Sequence, residues 1–461
     1  MNNPGSSSRR GQRVTVMGLG LFGGGAAVAR YLAEAGAQVT VTDLRDERLL
    51  EPALKTLLGL DLEFVLGRHR PRDFIACDLV VANPAIAPDN PHLQNSLRAG
   101  IPVTSEIALF LDACPARVAA ITGTQGKSST TSFLAQLLTA TGHTTHLGGN
   151  IGRSLLADLP SMSETDICAL ELSSYQLEEL PEHMRRARTD SVIEVAAIVN
   201  ILEDHLERHG NRAEYARAKL RLFEVLRPGG TMIMPAKHLP VEFNAPEDTK
   251  LLVPGGTILR IEDGEFRLAS DGLGRTDCVP MRAPFQIENL LVALGLAALL
   301  GAQTKDLAAA LSGLQGLPHR LDLVGELEGR PLWDNGVSTT PDSTISAIQA
   351  LPPGAVVLLG GRTKPLDLAP LLTTLSNRDA SVVLFGSARE TWAEPLSSAG
   401  IDTLQAVGPE EALELALSVD ASSILFSPAC SSFDAYPNFE VRARSFLARA
   451  KTLGLRERPS L

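Results

Sequence analysis

The sequence predicts an α/β protein of three domains, and three observations carry that reading. Glycine-rich turns follow short apolar strands at "VTVMGLGLFGG" and "AAITGTQGKSS". Further apolar runs with polar ends alternate with helical patterns along the rest of the chain. At 461 residues the chain is also too long for one ordinary core. The expected division is a Rossmann-like domain over 1–105, a central parallel sheet of the phosphate-loop ATPase kind over 106–317, and a second Rossmann-like domain over 318–461.

The first domain rests on "RVTVMGLGLFGGGAAVARYLAEAGAQVTVTDLR", which reads strand, Gly turn, helix, strand. Gly18, Gly20 and Gly23 match a dinucleotide fingerprint, and Asp43 closes the next strand where a ribose hydroxyl would be met. Such a turn could take NAD, another nucleotide, or nothing. In "DLVVANPAIAPDN", Asn83 and Pro84 end a further strand, either as a ligand-facing loop or as a plain Asn-Pro turn.

The central unit opens on a contracted phosphate loop. A standard loop puts four residues between its first glycine and the Gly-Lys pair, whereas Gly123 and Gly126 enclose only Thr124 and Gln125. The context is nevertheless right, because Val118 to Ile121 read as a buried strand and Phe133, Leu134, Leu137 and Leu138 recur at helical spacing. Free N–H groups at the helix start, the charge of Lys127 and the hydroxyl of Ser128 suit a phosphate and its Mg2+. A Gly turn with a Ser/Thr cap is the plainer alternative, but it does not call for the lysine. Later strands end in polar groups: Glu171 in "DICALELSSYQLEEL", and Asn200, Glu203, Asp204 and His205 in "VAAIVNILEDHLERHG". Parallel strands collect such ends on one edge, beside the phosphate loop. Leu290 to Leu300 reads as a core helix, with Asn289 as its cap. The third unit carries "AVVLLGGRTK", "SVVLFGSA" and "SILFSPACSS", three apolar strands with polar endings.

Composition removes several classes of function. A formal charge of -11 with no basic stripe argues against nucleic-acid binding. Five scattered cysteines, none in a Cys-x-x-Cys pair, fit reduced thiols rather than a disulfide frame or zinc site. The polar start "MNNPGSSSRR" is not followed by an apolar signal core, and Leu290 to Leu300 is too short to cross a bilayer. A cytoplasmic monomer acting on small molecules is expected.

With "GTQGKSS", "GGNIG", "ELSSYQLE", "EDH", "YARAKLRLFE", "GLPHRLD", "TTPDST" and "SPACSSFDAYPNF" in place, the sequence resembles the Mur ligases over almost its whole length. These are ATP-dependent amide-forming enzymes of peptidoglycan precursor synthesis, which use a contracted loop of this kind. "ELSSYQLE" and "SPACSSFDAYPNF" resemble the members that add D-glutamate. The resemblance implies transfer of the ATP γ-phosphate to the carboxylate of UDP-N-acetylmuramoyl-L-alanine, then attack by the D-glutamate amine.

It also implies roles. Lys127 would neutralise the transferring charge, and Ser128, Glu171 and His205 would serve Mg2+. Gly123, Thr124, Gln125, Gly126, Lys127, Ser128, Ser129, Gln286, Asn289 and Arg320, with His319, would meet ATP. Gly18, Leu19, Gly20, Leu21, Phe22, Asp43, Asn83 and Pro84 would line the UDP site, with Asn150 at the substrate's amide. Thr339, Lys364, Ser432 and Phe439 would hold D-glutamate. Lys219 would carry a CO2-derived carbamate that helps place Mg2+; by composition alone, beside Arg217 and Arg221, it is a solvated helix lysine, although Leu220, Phe223 and Leu226 suggest an apolar face next to it.

The chain departs from the family pattern in three ways. Asp334, Asn335, Gly336 and Val337 stand where the family reads Asn-Asp-Ser-Lys, so the acid moves by one position and a lysine is lost. Phe285-Gln286 replaces His-Asn. Competing readings are a sibling Mur or folylpolyglutamate-type ligase, an NAD oxidoreductase using Gly18 to Gly23, and a scaffold weakened by the loss at position 337.

Overall fold

The computed structural model describes residues 9–21, 23–187, 191–235, 241–279, 281 and 283–457. Two compact units emerge, one formed by Met1–Val279 with Glu288–Leu314 and the other by Pro280–Ile287 with Gln315–Leu461.

The first unit holds two parallel sheets. Strands β1 (Arg13–Met17), β2 (Gln38–Asp43), β3 (Leu62–Leu66), β4 (Leu79–Ala82) and β5 (Val103–Thr104) lie in the order β3-β2-β1-β4-β5. The order reverses between β1 and β4, so the turns after Met17 and Ala82 meet at the switch point where such sheets bind ligands. The second sheet runs β11-β10-β9-β6-β8-β7, with β6 at Arg117–Thr122, β7 at Thr145–Gly149, β8 at Ile167–Glu171, β9 at Ile193–Ile198, β10 at Leu226–Ile233 and β11 at Lys250–Leu252. β6 lies between β8 and β9, and β8 is buried along its whole length. That double burial is why these strands read as continuous apolar runs rather than alternating ones. Beyond it comes an antiparallel sheet of β12 (Leu259–Glu262), β13 (Glu265–Leu268) and β14 (Asp271–Arg275), which the apolar patterning does not announce.

The second unit is built on a seven-stranded sheet. Its strands are β15 (Asp322–Leu327), β16 (Arg330–Asp334), β17 (Ala355–Gly360), β18 (Ser381–Phe385), β19 (Thr403–Ala406), β20 (Ser423–Ala429) and β21 (Arg456–Glu457), ordered β19-β18-β17-β20-β16-β15-β21. The three strands expected from sequence are β17, β18 and β20. The antiparallel edge of β15 and β21 is an addition.

The helix expected at Leu290 to Leu300 spans Pro284–Leu299 instead. Asn289 therefore sits inside it and is not its cap. Proline at a helix start forgoes an N–H that would have no intrahelical partner, so Pro284 sets the beginning. Among the described residues no helix is long and apolar enough to cross a membrane.

Candidate active site

The phosphate loop joins β6 to the helix Lys127–Ala140. Gly126 is required twice over. Its φ of 80° is left-handed, and a Cβ there would lie 2.4 Å from Asn289 Oδ1. Asn200 pins the turn from the end of β9. Its Oδ1 accepts from the N–H groups of Thr124 (3.1 Å) and Gln125 (3.0 Å), while its Nδ2 donates to Gln125 O at 3.0 Å. Thr124 Oγ1 accepts from Leu202 N at 2.8 Å and from the Tyr215 hydroxyl at 3.1 Å. Asn200 thus holds the loop, and the helix start beside it carries the positive end of the helix dipole, which favours a phosphate. Lys127 Nζ donates to Thr124 O at 2.9 Å.

Lys219 is the largest surprise against a composition-based reading. It is 1% exposed, lies 4.6 Å from the Tyr215 ring centre, and donates to Gly123 O at 2.7 Å. Desolvation and the neighbouring Lys127 push its pKa well below the ordinary lysine value, against the opposing pull of Asp204 and Glu171. The solvated-lysine reading is thereby overturned. Tyr215, which sequence reasoning passed over, precedes Lys219 by four positions, the spacing that puts two helical side chains on one face.

Glu171 closes β8 and is also 1% exposed. Its Oε1 accepts from Asn150 Nδ2 at 2.8 Å, whereas Oε2 is buried without a hydrogen-bond partner. The Gly149–Asn150 turn can lie flush on this strand end because a Cβ at Gly149 would sit 2.3 Å from Glu171 O. His205 has a left-handed φ of 54°, and its Nδ1 is 3.4 Å from both the Tyr175 hydroxyl and Glu207 Oε1. Burial, with Glu207 nearby, pushes the Tyr175 phenol up to about 12.

At the switch point of the first sheet, Asp43 is 3% exposed and faces the glycine turn. Its Oδ2 accepts from Gly20 N at 3.0 Å, and its Oδ1 accepts from Arg45 N at 2.9 Å. Asn83 N donates to Met17 O, and Asn83 packs so close to Gly18 that a Cβ there would meet it at 2.8 Å. Leu21 is exposed, while Leu19 is fully buried in the core, which leaves its backbone as the part available to a ligand. Phe22 lies outside the described residues.

In the second unit, His319 Nδ1 lies 2.6 Å from buried Asp334 Oδ2. The Asp334 contact raises the imidazole pKa against the effect of burial. Asp334 Oδ1 accepts from Gly336 N, and Asn335 Nδ2 donates to Ser427 Oγ at 2.9 Å. The displaced acid is thus engaged with the histidine, and the asparagine is turned into a hydroxyl network. Val337 N donates to His319 O, and Gln286 Nε2 donates to Arg320 O at 3.0 Å.

Thr339, Lys364 and Ser432 follow the neighbouring parallel strands β16, β17 and β20. Phe439 opens the helix Phe439–Thr452. Arg442, on that helix and 1% exposed, ties the three strand ends together. Its guanidinium donates to Gly360 O (3.3 Å), Cys430 O (3.0 Å), Gly336 O (3.3 Å) and Ser338 O (3.4 Å). Burial lowers its pKa to about 10. In the sequence it passes as a surface charge.

A helix start that can take a polyphosphate, next to strand ends carrying an amide, a carboxylate and a histidine, is the layout of an enzyme using a nucleoside triphosphate on a second substrate. Residues 12–105 match the model of the Mur ligase MurD-like N-terminal domain, and residues 121–246 match the Mur ligase middle domain. The UDP-N-acetylmuramoylalanine–D-glutamate ligase of Geobacter metallireducens is 36% identical, over 97% of this chain and 99% of its own. Among solved structures, the UDP-N-acetylmuramate-alanine ligase MurC of Thermotoga maritima aligns with a TM-score of 0.61 at 18% identity, covering 96% of this chain and 99% of that one. MurF of the same organism, solved in complex with ADP, gives 0.57 at 17% identity, covering 90% and 95%. The chain belongs to the Mur ligase family, ATP-dependent amino-acid ligases of peptidoglycan synthesis and thereby of cell shape and division.

Proposed function

We propose that the chain joins D-glutamate to UDP-N-acetylmuramoyl-L-alanine using ATP. The carboxylate of the UDP substrate attacks the γ-phosphorus, ADP leaves, and the D-glutamate amine displaces phosphate from the acyl phosphate. The observation that carries the reading beyond ATP use is the pairing of Asn150 with Glu171 beside the phosphate loop, because it puts an amide suited to the substrate next to the phosphoryl-transfer groups. The glycine turn Gly18 to Gly23, with Asn83 and Pro84, would take the UDP moiety. Thr339, Lys364 and Ser432, near the carbonyls that Arg442 ties together, would take the amino acid, where one cation and two hydroxyls suit a dicarboxylate. Residues 1–105, 106–317 and 318–461 would then be the UDP, ATP and amino-acid domains of a cytoplasmic monomer.

The residues present fit Mg2+. Glu171 Oε2 is a buried carboxylate oxygen with no partner, the hard donor such an ion takes, and Ser128 and His205 would complete the protein's share. When bound, the ion offsets negative charge on the phosphates. Lys127 adds its own positive charge as the phosphoryl group moves.

Lys219 suits carbamylation, since desolvation favours the neutral amine, the form that can add to CO2 with loss of a proton. Lys219→Ala should lose activity, and added short carboxylates should restore part of it. A fully active alanine variant would sink this role. The function itself is tested by phosphate release from ATP with UDP-N-acetylmuramoyl-L-alanine against a panel of amino acids. Release with D-glutamate alone is expected, and equal release with L-amino acids or none at all would refute the reading.

A further inference from the structure

Arg208 follows His205 by three positions on the short helix Leu206–His209. Its side chain is 11% exposed, and its Nε and Nη2 donate to Glu178 Oε2 at 3.0 and 2.8 Å. The guanidinium carbon lies 5.0 Å from the Tyr175 ring centre. Its remaining donors cross to the first sheet. Nη2 reaches Ile86 O at 3.2 Å and Pro84 O at 3.5 Å, and Nη1 reaches Ala85 O at 3.4 Å. Three successive carbonyls of one turn thus face a single planar cation.

That turn is stiff in itself. Ala85 N donates to Asn83 Oδ1, and Ile86 N donates to Asn83 O. It also leaves no slack beside Gly18, where even a methyl group would meet Asn83 at 2.8 Å. A small displacement of the turn is therefore felt at the Gly18 to Gly20 turn.

We infer that Arg208 is a positioning residue that fixes the Asn83–Ile86 turn against the His205 segment and so sets the affinity for the UDP substrate. The inference rests on the proposed UDP site. Its geometry needs the guanidinium fork, because a lysine presents a point charge that can keep Glu178 but cannot span three carbonyls. Glu178 anchors the fork and Tyr175 backs it. Arg208 touches no reacting atom, so its loss should act on one substrate and not on the other.

The test compares wild type with Arg208→Lys and Glu178→Gln. Hydrogen exchange without ligand should speed up about tenfold at the Ala85 and Ile86 amides in Arg208→Lys, and stay unchanged across 123–129. The KM for UDP-N-acetylmuramoyl-L-alanine should rise about tenfold, with the ATP KM held within about twofold. Glu178→Gln should shift both readouts the same way by less. Unchanged exchange at the turn, or an ATP KM that rises as far as the other, would overturn the inference. A wild-type enzyme that does not turn over this substrate would instead refute the proposed function, and the exchange measurement would still decide whether Arg208 clamps the turn.

Discussion

His183 gives the protein a measurable sensitivity to acid. It lies on the helix Ser174–Ala187, buried, with Nδ1 3.3 Å from Ser105 Oγ, at a small cavity beneath the Asn83 to Pro88 turn. Desolvation, with Arg186 and Arg221 adding to it, lowers its pKa to about 4. The unfolded chain would protonate near the ordinary value of about 6.5. Below that pH the unfolded state binds the proton first. The stabilisation is thus complete above about pH 6.5, falls as pH drops, and levels off below the folded value. A shift of this size is worth about 3 kcal/mol in full, and about 2 kcal/mol is lost between roughly pH 7.5 and pH 5. His183→Gln keeps a polar group toward Ser105 and removes the titration. Carboxylates also titrate in acid, so the readout is the difference between wild type and variant in the pH dependence of urea unfolding, followed by a signal from the first unit. The variant should lose about 2 kcal/mol less than wild type over that interval. Equal losses would show that His183 titrates alike in the folded and the unfolded chain and would refute the reasoning.

Three further outcomes follow from the geometry. Gly126→Ala should weaken ATP binding, and Asn289→Ala added to it should recover the part due to the overlap with Asn289 Oδ1 but not the left-handed backbone cost of about 1–2 kcal/mol, read from ATP titrations of both variants. The His319–Asp334 pair works in the opposite sense from His183: its raised pKa gives stability that is complete below about pH 6.5 and fades as pH climbs through the folded value, so Asp334→Asn should destabilise more near pH 6 than near pH 9 in thermal melts. Arg442→Lys leaves carbonyls of Gly336, Ser338, Gly360 and Cys430 short of donors, at about 1–3 kcal/mol for each buried group unpaired. The melting temperature should fall and the KM for D-glutamate should rise more than that for ATP.

The central strands of the two larger sheets were legible because such parallel strands are buried on both faces, so β6, β8 and β9 in one and β17 and β20 in the other appear as plain apolar runs. The site was legible where a backbone demand selects the residue, as at Gly126. Side-chain environment was not. Leu220, Phe223 and Leu226 do mark an apolar face beside Lys219, and all three are buried, but a lysine between Arg217 and Arg221 carries no sign in composition that it turns inward with them. Arg442 is hidden for a related reason, since its partners are backbone carbonyls from three distant loops and leave no trace in composition. Strands β12 to β14 carry charges and glycines with little apolar alternation. Asn289 looked like a cap because the apolar run begins after it, whereas the helix begins at Pro284.

The groups proposed to meet ATP are braced by the loop itself. Lys127 donates to Thr124 O and Lys219 to Gly123 O, so two lysine amines lie beside the turn proposed to receive a polyanion. Like charges so arranged would repel, which is part of why the Lys219 amine is driven toward neutrality. The Lys127 bond to a carbonyl is worth about 1 kcal/mol net. A phosphate charge about 4 Å away, near a protein surface, offers about 4 kcal/mol. The lysine should therefore leave Thr124 O for the nucleotide, while Asn200 goes on holding Thr124 and Gln125. The resting bond keeps the long side chain from wandering without making it costly to recruit, and Asn200 keeps the turn open in its absence.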